Sequence, residues 1–282
     1  MIVWLASYPK SGNTWLRAMI ASYYFTEKGN FDFSLLKNID QFPGFTYFKN
    51  YDDKFIKPQS TSKYWLDAQK KINLDNKLRF FKTHNALCTI ENFPFTDQKN
   101  TLGAIYIVRD PRNVINSVLN HFDQSDHQEA LKFMQDEKRC LIHKDKDRYT
   151  GFIPLFSWKT HQKSWVKNKL FPVLTIRYED LQNYTFETFK KVFEFIKLIS
   201  KSSKSFNREK AINVIQSCDF KVMKQMENEN GFSESVMKKN EKKNVNFFHL
   251  GPKNDYRKIL DKDIILEMNK IYEEELQQYN YE

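Results

Sequence analysis

"IVWLASYPKSGNTWLR", residues Ile2 to Arg17, is the stretch that decides the fold. Ile2 to Ala6 is a short continuous apolar run, the pattern of a strand buried on both faces. A polar turn follows, and an amphipathic helix is expected from about Thr14 to Phe25. Trp15, Met19 and Ser22 fall on one line of that helix, and Leu16, Ile20 and Tyr23 on the next. A turn feeding a helix presents unpaired N–H groups and the positive end of the helix dipole, so it favours an anion. Gly12 permits an unusual φ and a close backbone approach. Ser11, Asn13 and Thr14 add short donors, Lys10 adds a full charge, and Pro9 stiffens the chain before them. The plainer reading is an ordinary strand–helix connection with Asn13 or Thr14 as N-cap. Lys10 precedes Gly12, so the turn is neither G-x-x-x-x-G-K-[ST] nor G-x-G-x-x-G.

Outward from this turn, "LRFFKTH" (Leu78 to His84), "LGAIYIVRD" (Leu102 to Asp110) and "PVLTIRYED" (Pro172 to Asp180) are further strand candidates. Pro111 opens a helix at its first turn, where a missing N–H costs nothing, with Asp110 as its cap. Helices are also expected over 152–168 and in "TFETFKKVFEFIKLI", which places Phe186, Phe189, Val192 or Phe193, and Ile196 on one face. The rest reads as helical apart from a polar segment over 227–254. Residues 27–75 read as loops and short helices covering the sheet, and 123–150 as a charged, mobile excursion. Strands alternating with helices give an α/β protein, a central mostly parallel sheet flanked by helices. With no linker or repeat, residues 1–282 read as a single domain. Ligands of such sheets sit beyond the carboxyl ends of the strands. That singles out Lys10 to Trp15, Lys82 to His84, Arg109 onward and Tyr178 to Asp180.

Composition adds bounds. The chain has 282 residues, 40% of them apolar with 25 Phe, enough for a sizeable core. Its 45 Lys and Arg against 35 Asp and Glu leave a net charge of +10, either a lysine-rich surface or a field that draws an anionic ligand. The 3 cysteines, Cys88, Cys140 and Cys218, are far apart with no C-x-x-C, which argues against a disulfide framework or zinc knuckle and for a reducing compartment. "MIVWLASYP" is too short for a signal-peptide core, and no apolar run approaches the ~20 residues of a membrane span. A cytoplasmic protein without stable membrane insertion is expected.

The motifs themselves carry a resemblance. "YPKSGNTWLR" closely resembles the 5′-phosphosulfate loop, YPKSGTTW, of sulfotransferases that use 3′-phosphoadenosine 5′-phosphosulfate (PAPS), with Asn13 in place of a threonine. "IYIVRDPRNVINSVLNHF" (Ile105 to Phe122) resembles that family's 3′-phosphate-binding strand and helix, and "FFKTH" (Phe80 to His84) its catalytic segment. The resemblance runs from Ile2 to about Tyr184 and more loosely beyond. It implies a P-loop-containing nucleotide-hydrolase-like fold. It also implies transfer of a sulfuryl group from PAPS to a hydroxyl or amine of a small-molecule acceptor, without a metal or nucleic-acid partner. Lys10, Ser11, Gly12, Asn13 and Thr14 would wrap the 5′-phosphosulfate, and Trp15 would lie against the adenine. Arg109 and Ser117 would hold the 3′-phosphate, for which a guanidinium fork is well shaped. Tyr178 and Phe220 would border the base. Gly251 is what remains of a C-terminal R-K-G-x-x-G loop in which His249, Leu250 and Asn254 replace the usual residues; Lys253 and Arg257 are the candidates to restore its charge. Trp15, Tyr178 and Phe220 read equally well as core.

For the chemistry, the resemblance makes His84 the base, Lys10 the cation at the bridging oxygen and Lys82 the stabiliser of the transferring group. An unperturbed imidazole pKa of ~6.5 suits a base. Two residues apart on a strand, Lys82 and His84 share a side. Arg112 reads as an aid to Arg109 at the 3′-phosphate or, more plainly, as a solvated helix-start arginine, and His121, His127 and His143 as surface residues outside any ligand-like cluster. Two rival readings stand beside this one. An ATP- and Mg²⁺-dependent phosphotransferase of P-loop type would use Asp110 or Asp180. A basic module for RNA or anionic membrane would use the Lys-rich 236–258 stretch. The acceptor pocket is expected from 27–75 and 123–150, where "FDFSLL" and "FPGFTYF" supply aromatics, with "GFIPLFSW" just beyond. Such aromatics suit phenols, lipids, glycans and peptide tyrosines alike, and no segment specifies an oligomeric state.

Overall fold

The computed structural model describes residues 1–237 and 244–281. In chain order its main elements begin with β1 (Ile2–Ser7), α1 (Asn13–Phe25), α2 (Trp65–Ile72), β2 (Arg79–Thr83) and β3 (Thr101–Val108). They continue with α3 (Pro111–His121), α4 (His127–Gln135), β4 (Cys140–Asp145), β5 (Arg148–Pro154), α5 (Trp158–Val166) and β6 (Val173–Arg177). The last part is helical: α6 (Tyr178–Asn183), α7 (Thr185–Ser200), α8 (Arg208–Ser217), α9 (Phe220–Asn230), α10 (Tyr256–Ile259), α11 (Lys262–Ile271) and α12 (Glu273–Gln278).

The central sheet is parallel, in the order β2-β1-β3-β6. β1 is interior and wholly buried, as its unbroken apolar run implies. Alternate side chains feed two separate cores. Trp4 and Ala6 join Phe81, Tyr106 and Val108 on one face, while Val3 and Leu5 join Phe80, Ile105, Ile107 and Ile176 on the other. The chain leaves β1 toward β2 and returns to the opposite side for β3 and β6, so the carboxyl ends of all strands meet at one edge beside a topological switch.

Four expectations are corrected. Helix α1 is buried almost all round rather than on one stripe, because α8 and a 3₁₀ turn at Phe33–Asn38 cover its outer side. Even Arg17 is enclosed, donating to the carbonyls of Ile39 and Leu36 at 2.7 Å each. Second, 123–150 is built structure: α4 buries Ala130, Leu131, Phe133 and Met134, and β4 and β5 form an antiparallel hairpin. Third, Phe152 to Pro154 finish that hairpin, so the helix expected from Phe152 starts at Trp158, where Ser157 Oγ accepts from the Thr160 N–H at 3.1 Å. Fourth, β6 ends at Arg177, and Tyr178 already belongs to α6. The Asp110 cap and the Pro111 helix start are as the sequence implies, with Asp110 accepting from the Arg112 N–H at 2.9 Å.

Candidate active site

The turn after β1 forms one wall of a cavity of about 1040 Å³ at the carboxyl edge of the sheet. Two residues of the turn have left-handed backbone, Lys10 at φ 68° and Gly12 at φ 99°. A Cβ on Gly12 would also meet Tyr178 Cδ2 at 2.5 Å, so this position demands glycine twice over. Gly12 itself is the N-cap of α1, and no side chain caps the helix. The expectation of an Asn13 or Thr14 cap is therefore corrected. Asn13 turns back, donating through Nδ2 to the Leu5 carbonyl at 2.8 Å and to Ser7 Oγ at 3.2 Å, which pins the turn to its strand. Ser11 Oγ, Asn13 Oδ1 and Arg109 Nε are buried without a hydrogen-bond partner among the described residues. The two donors among them, Ser11 Oγ and Arg109 Nε, together with the uncapped helix end, fit an anionic ligand, since a buried donor left unpaired costs about 1–3 kcal/mol.

Arg109, at the end of β3, donates through Nη1 to the Lys10 carbonyl at 3.2 Å and stacks over the Tyr178 ring at 4.1 Å. Trp15 meets the same tyrosine edge-on at 5.8 Å. Ser117, on α3, accepts from Asn254 Nδ2 at 3.4 Å. Gly251 has φ 54°, and a Cβ there would lie 2.3 Å from Phe220 Cζ, so these two residues touch although 31 positions apart in sequence. Gly251, Pro252 and Asn254 line the cavity, whereas Lys253 and Arg257, the candidates to restore charge, do not. All eleven residues expected to bind donor or act catalytically at the strand ends, from Lys10 to Trp15 and including Lys82, His84, Arg109, Ser117 and Tyr178, belong to this one locality, Ser11 as a buried part of the turn and the other ten as lining. Phe220 and Gly251 join them in the lining.

At the centre, His84 Nδ1 lies 2.8 Å from the Ser7 carbonyl. A carbonyl only accepts, so Nδ1 carries the proton and Nε2 keeps its lone pair. Burial, aided by Lys82, lowers the imidazole to about 3 and keeps it neutral. Behind it stands a buried relay that the sequence reading missed. Tyr106 donates to His161 Nδ1 at 2.9 Å, and His161 Nε2 donates to the His84 carbonyl at 3.1 Å. Lys10 reaches across to the Phe247 ring, 3.8 Å from its centroid, and burial with the nearby Lys82 charge lowers it to about 8.

A second missed residue is Glu234. Its carboxylate accepts from Lys82 Nζ at 2.9 Å, from Arg17 Nη1 at 2.7 Å and from Thr14 Oγ1 at 3.0 Å. Burial alone would raise this carboxyl, but Lys82 and Arg17 outweigh it and hold the group at about 2. It follows α9 in a polar segment with no motif to mark it. Two histidine expectations are also corrected. His121 lines the cavity, where burial and then Lys10 lower it to about 4, and His127 lies 2.9 Å from Asn116 Oδ1. His143 is exposed as expected, though it too faces the cavity mouth. Arg112 is buried, not solvated: it pairs with Asp110 at 2.8 Å and lies over the Tyr256 ring at 4.1 Å. Asp110 is thus spent on Arg112 and the helix cap, and Asp180 on Arg177, which leaves the phosphotransferase reading without a free carboxylate at either place. The Lys-rich stretch needed for nucleic-acid binding falls partly outside the described residues, at 238–243.

A further part of the cavity wall is made by Phe122 just after α3, Phe133 on α4, Arg139 just before the β4–β5 hairpin, and Leu141, Ile142 and Ile153 on that hairpin. No helix among the described residues is long and apolar enough to cross a membrane.

A glycine turn between a central parallel strand and an uncapped helix, with cations gathered at the strand ends, defines an α/β protein of the phosphate-cradle class. The chain belongs to the sulfotransferase domain family, which matches residues 2–280. It is 26% identical to mouse sulfotransferase 1A1 over 156 residues, covering 52% of this chain and 45% of that one. It is 25% identical to dog sulfotransferase 1B1 over 226 residues, covering 78% of this chain and 65% of the relative. The chain thus spans less than two thirds of these relatives' lengths. Among solved structures, retinol dehydratase in complex with androsterone and the inactive cofactor PAP superposes over 98% of this chain and 80% of its own, with a TM-score of 0.59 at 18% identity. Mouse sulfotransferase SULT7A1 complexed with PAP covers 98% and 83%, with a TM-score of 0.55 at 17% identity. These likenesses establish the sulfotransferase fold, a P-loop-like central sheet between helices.

Proposed function

We propose that residues 1–282 form one sulfotransferase domain that moves the sulfuryl group of PAPS to a hydroxyl or amine of a small acceptor and releases adenosine 3′,5′-bisphosphate (PAP). The observation that carries this reading is the meeting, in one cavity, of an uncapped α1 N-terminus beside the unpaired buried donors Ser11 Oγ and Arg109 Nε with a histidine whose Nε2 keeps its lone pair. The phosphosulfate, when bound, supplies an electrophilic sulfur and an anionic leaving group. Lys10, Ser11, Gly12, Asn13 and Thr14 hold its 5′ end. Arg109 and Ser117 hold the 3′-phosphate, and Trp15, Tyr178, Phe220 and Gly251 border the base.

His84 Nε2 takes the acceptor's proton as the new O–S bond forms. Lys10 neutralises the oxygen released to the 5′-phosphate as the old S–O bond breaks, and Lys82 steadies the transferring group. The anionic donor raises the depressed His84 and Lys10 values, because a nearby negative charge favours both cations. His161 and Tyr106 act through His84 as positioning residues. The acceptor rests against Phe122, Phe133, Leu141, Ile142 and Ile153, surroundings that suit a partly apolar hydroxylated molecule. A cytoplasmic location is part of this reading.

The test is a screen of phenols, alcohols, amines and glycosides with PAPS, read as release of PAP, preceded by calorimetry with PAP alone. We expect binding of PAP and turnover of at least one acceptor class. A chain that binds neither PAP nor PAPS overturns the reading.

A further inference from the structure

Glu234 is the one carboxylate among the described residues that ion-pairs with a strand-end lysine of the cavity, and its two oxygens do different things. Oε1 accepts from Arg17 at 2.7 Å, while Oε2 accepts from both Lys82 at 2.9 Å and Thr14 Oγ1 at 3.0 Å. Arg17 is fixed independently of this contact by the Ile39 and Leu36 carbonyls. Lys82 and Thr14 belong to the cradle proper: Thr14 lies in the first turn of α1, and Lys82 stands two residues before His84. Oε2 therefore takes up the two donors that an oxygen of a bound phosphosulfate would need on this side of the cavity. One oxygen cannot share that place with another, and two anions a few ångströms apart in a buried site repel strongly.

We propose that Glu234 is a donor-specificity residue, a resident anion at the sulfuryl end of the cradle that must yield Lys82 and Thr14 before a sulfuryl-bearing nucleotide can seat. The proposal rests on the PAPS reading above. Because Oε1 has its own anchor, the carboxylate can keep Arg17 and surrender only the Oε2 contacts. A nucleotide with a 5′-phosphate but no sulfuryl group asks at most for Thr14 and makes no demand on Lys82, so the Lys82–Glu234 ion pair stays in place beside it. The residue thus competes with the substrate nucleotide more than with the product.

Calorimetry without acceptor separates the possibilities, using the full chain, PAP and PAPS. Glu234→Gln keeps the shape and removes the charge. We expect it to bind PAPS about tenfold more tightly than wild type, with PAP affinity changed less than threefold. Glu234→Asp, which retains the charge on a shorter arm, should fall between the two for PAPS and serves in its place if the glutamine variant does not fold. Equal gains for both nucleotides, no gain, or weaker PAPS binding would each overturn the role of Glu234 while leaving the cradle reading intact. Binding of neither nucleotide by wild type overturns the cradle reading itself, and the proposal with it.

Discussion

The two ends of the cavity are built in opposite ways. The end proposed for the donor is largely backbone: the turn 9–14, an uncapped helix, and glycines at 12 and 251 whose missing Cβ atoms make room for the Tyr178 and Phe220 rings. The end proposed for the acceptor is side chain: Phe122 and Phe133, stacked 4.7 Å apart, with Leu141, Ile142 and Ile153 brought from a hairpin. A site made of backbone needs particular residues at particular spacings and tolerates little change. A site made of packed side chains needs only shape and polarity, so it can be rebuilt for a new ligand without disturbing the first end.

The strongest challenge to this division is His84, which stands between the ends. Replacement by Ala should lower turnover by roughly 10²–10⁴-fold, the usual worth of a positioned base. PAP affinity by calorimetry should stay within a few-fold. Near-wild-type turnover would remove the base from the junction. Arg109→Ala strikes only the donor end. Losing charge-assisted hydrogen bonds to a phosphate should weaken PAP binding about 10- to 100-fold. Acceptor KM at saturating PAPS should hardly move, and a shift in acceptor KM alone would mean that the two ends are not separable.

A third effect follows from Lys10, whose ammonium is lowered to about 8 by burial and the neighbouring Lys82 charge. An anionic ligand binds the protonated form, so the free protein must take up a proton at higher pH in order to bind. PAP affinity should be flat below pH 8 and fall as pH rises beyond it, approaching tenfold per pH unit. Lys10→Arg should abolish that bend, since guanidinium stays charged. A profile that is flat to pH 9.5 in wild type would take Lys10 out of the donor end.

The same contrast explains what the sequence disclosed. The β1 run, the Gly12 turn, the Asp110–Pro111 helix start and the Lys82–His84 segment are local features, each fixed by neighbours in the chain. They were legible together with the α/β class and with the gathering of thirteen named residues at one cavity, twelve in its lining and Ser11 buried in its turn. Glu234 was not legible, because its meaning depends on Lys82, 152 positions away, and nothing near it sets it apart. The His161 relay was hidden for the same reason, 77 positions from His84. The charged 123–150 region misleads because its polarity reads as mobility. Its apolar positions on α4, Ala130, Leu131, Phe133 and Met134, bury against the core, as does Ile153 just beyond it at the end of the hairpin. Arg112 misled similarly, since only the fold shows that Asp110 and Tyr256 enclose it.

The smallest effect tests the acceptor end by itself. Ile142 sits on β4 with 48% of its surface exposed, yet it lines the cavity. So exposed a side chain contributes little to folding, and Ile142→Ala should leave thermal stability within about 0.5 kcal/mol. Trimming an apolar wall nonetheless costs an apolar ligand some of its contact, about 25 cal/mol per Å² uncovered. For an acceptor that turns over, KM should rise about two- to fivefold, with PAP affinity and the Lys10 bend unchanged. Should PAP affinity fall with it, the hairpin would be part of the donor end, and the division between a backbone-made cradle and a side-chain-made pocket would fail at that strand.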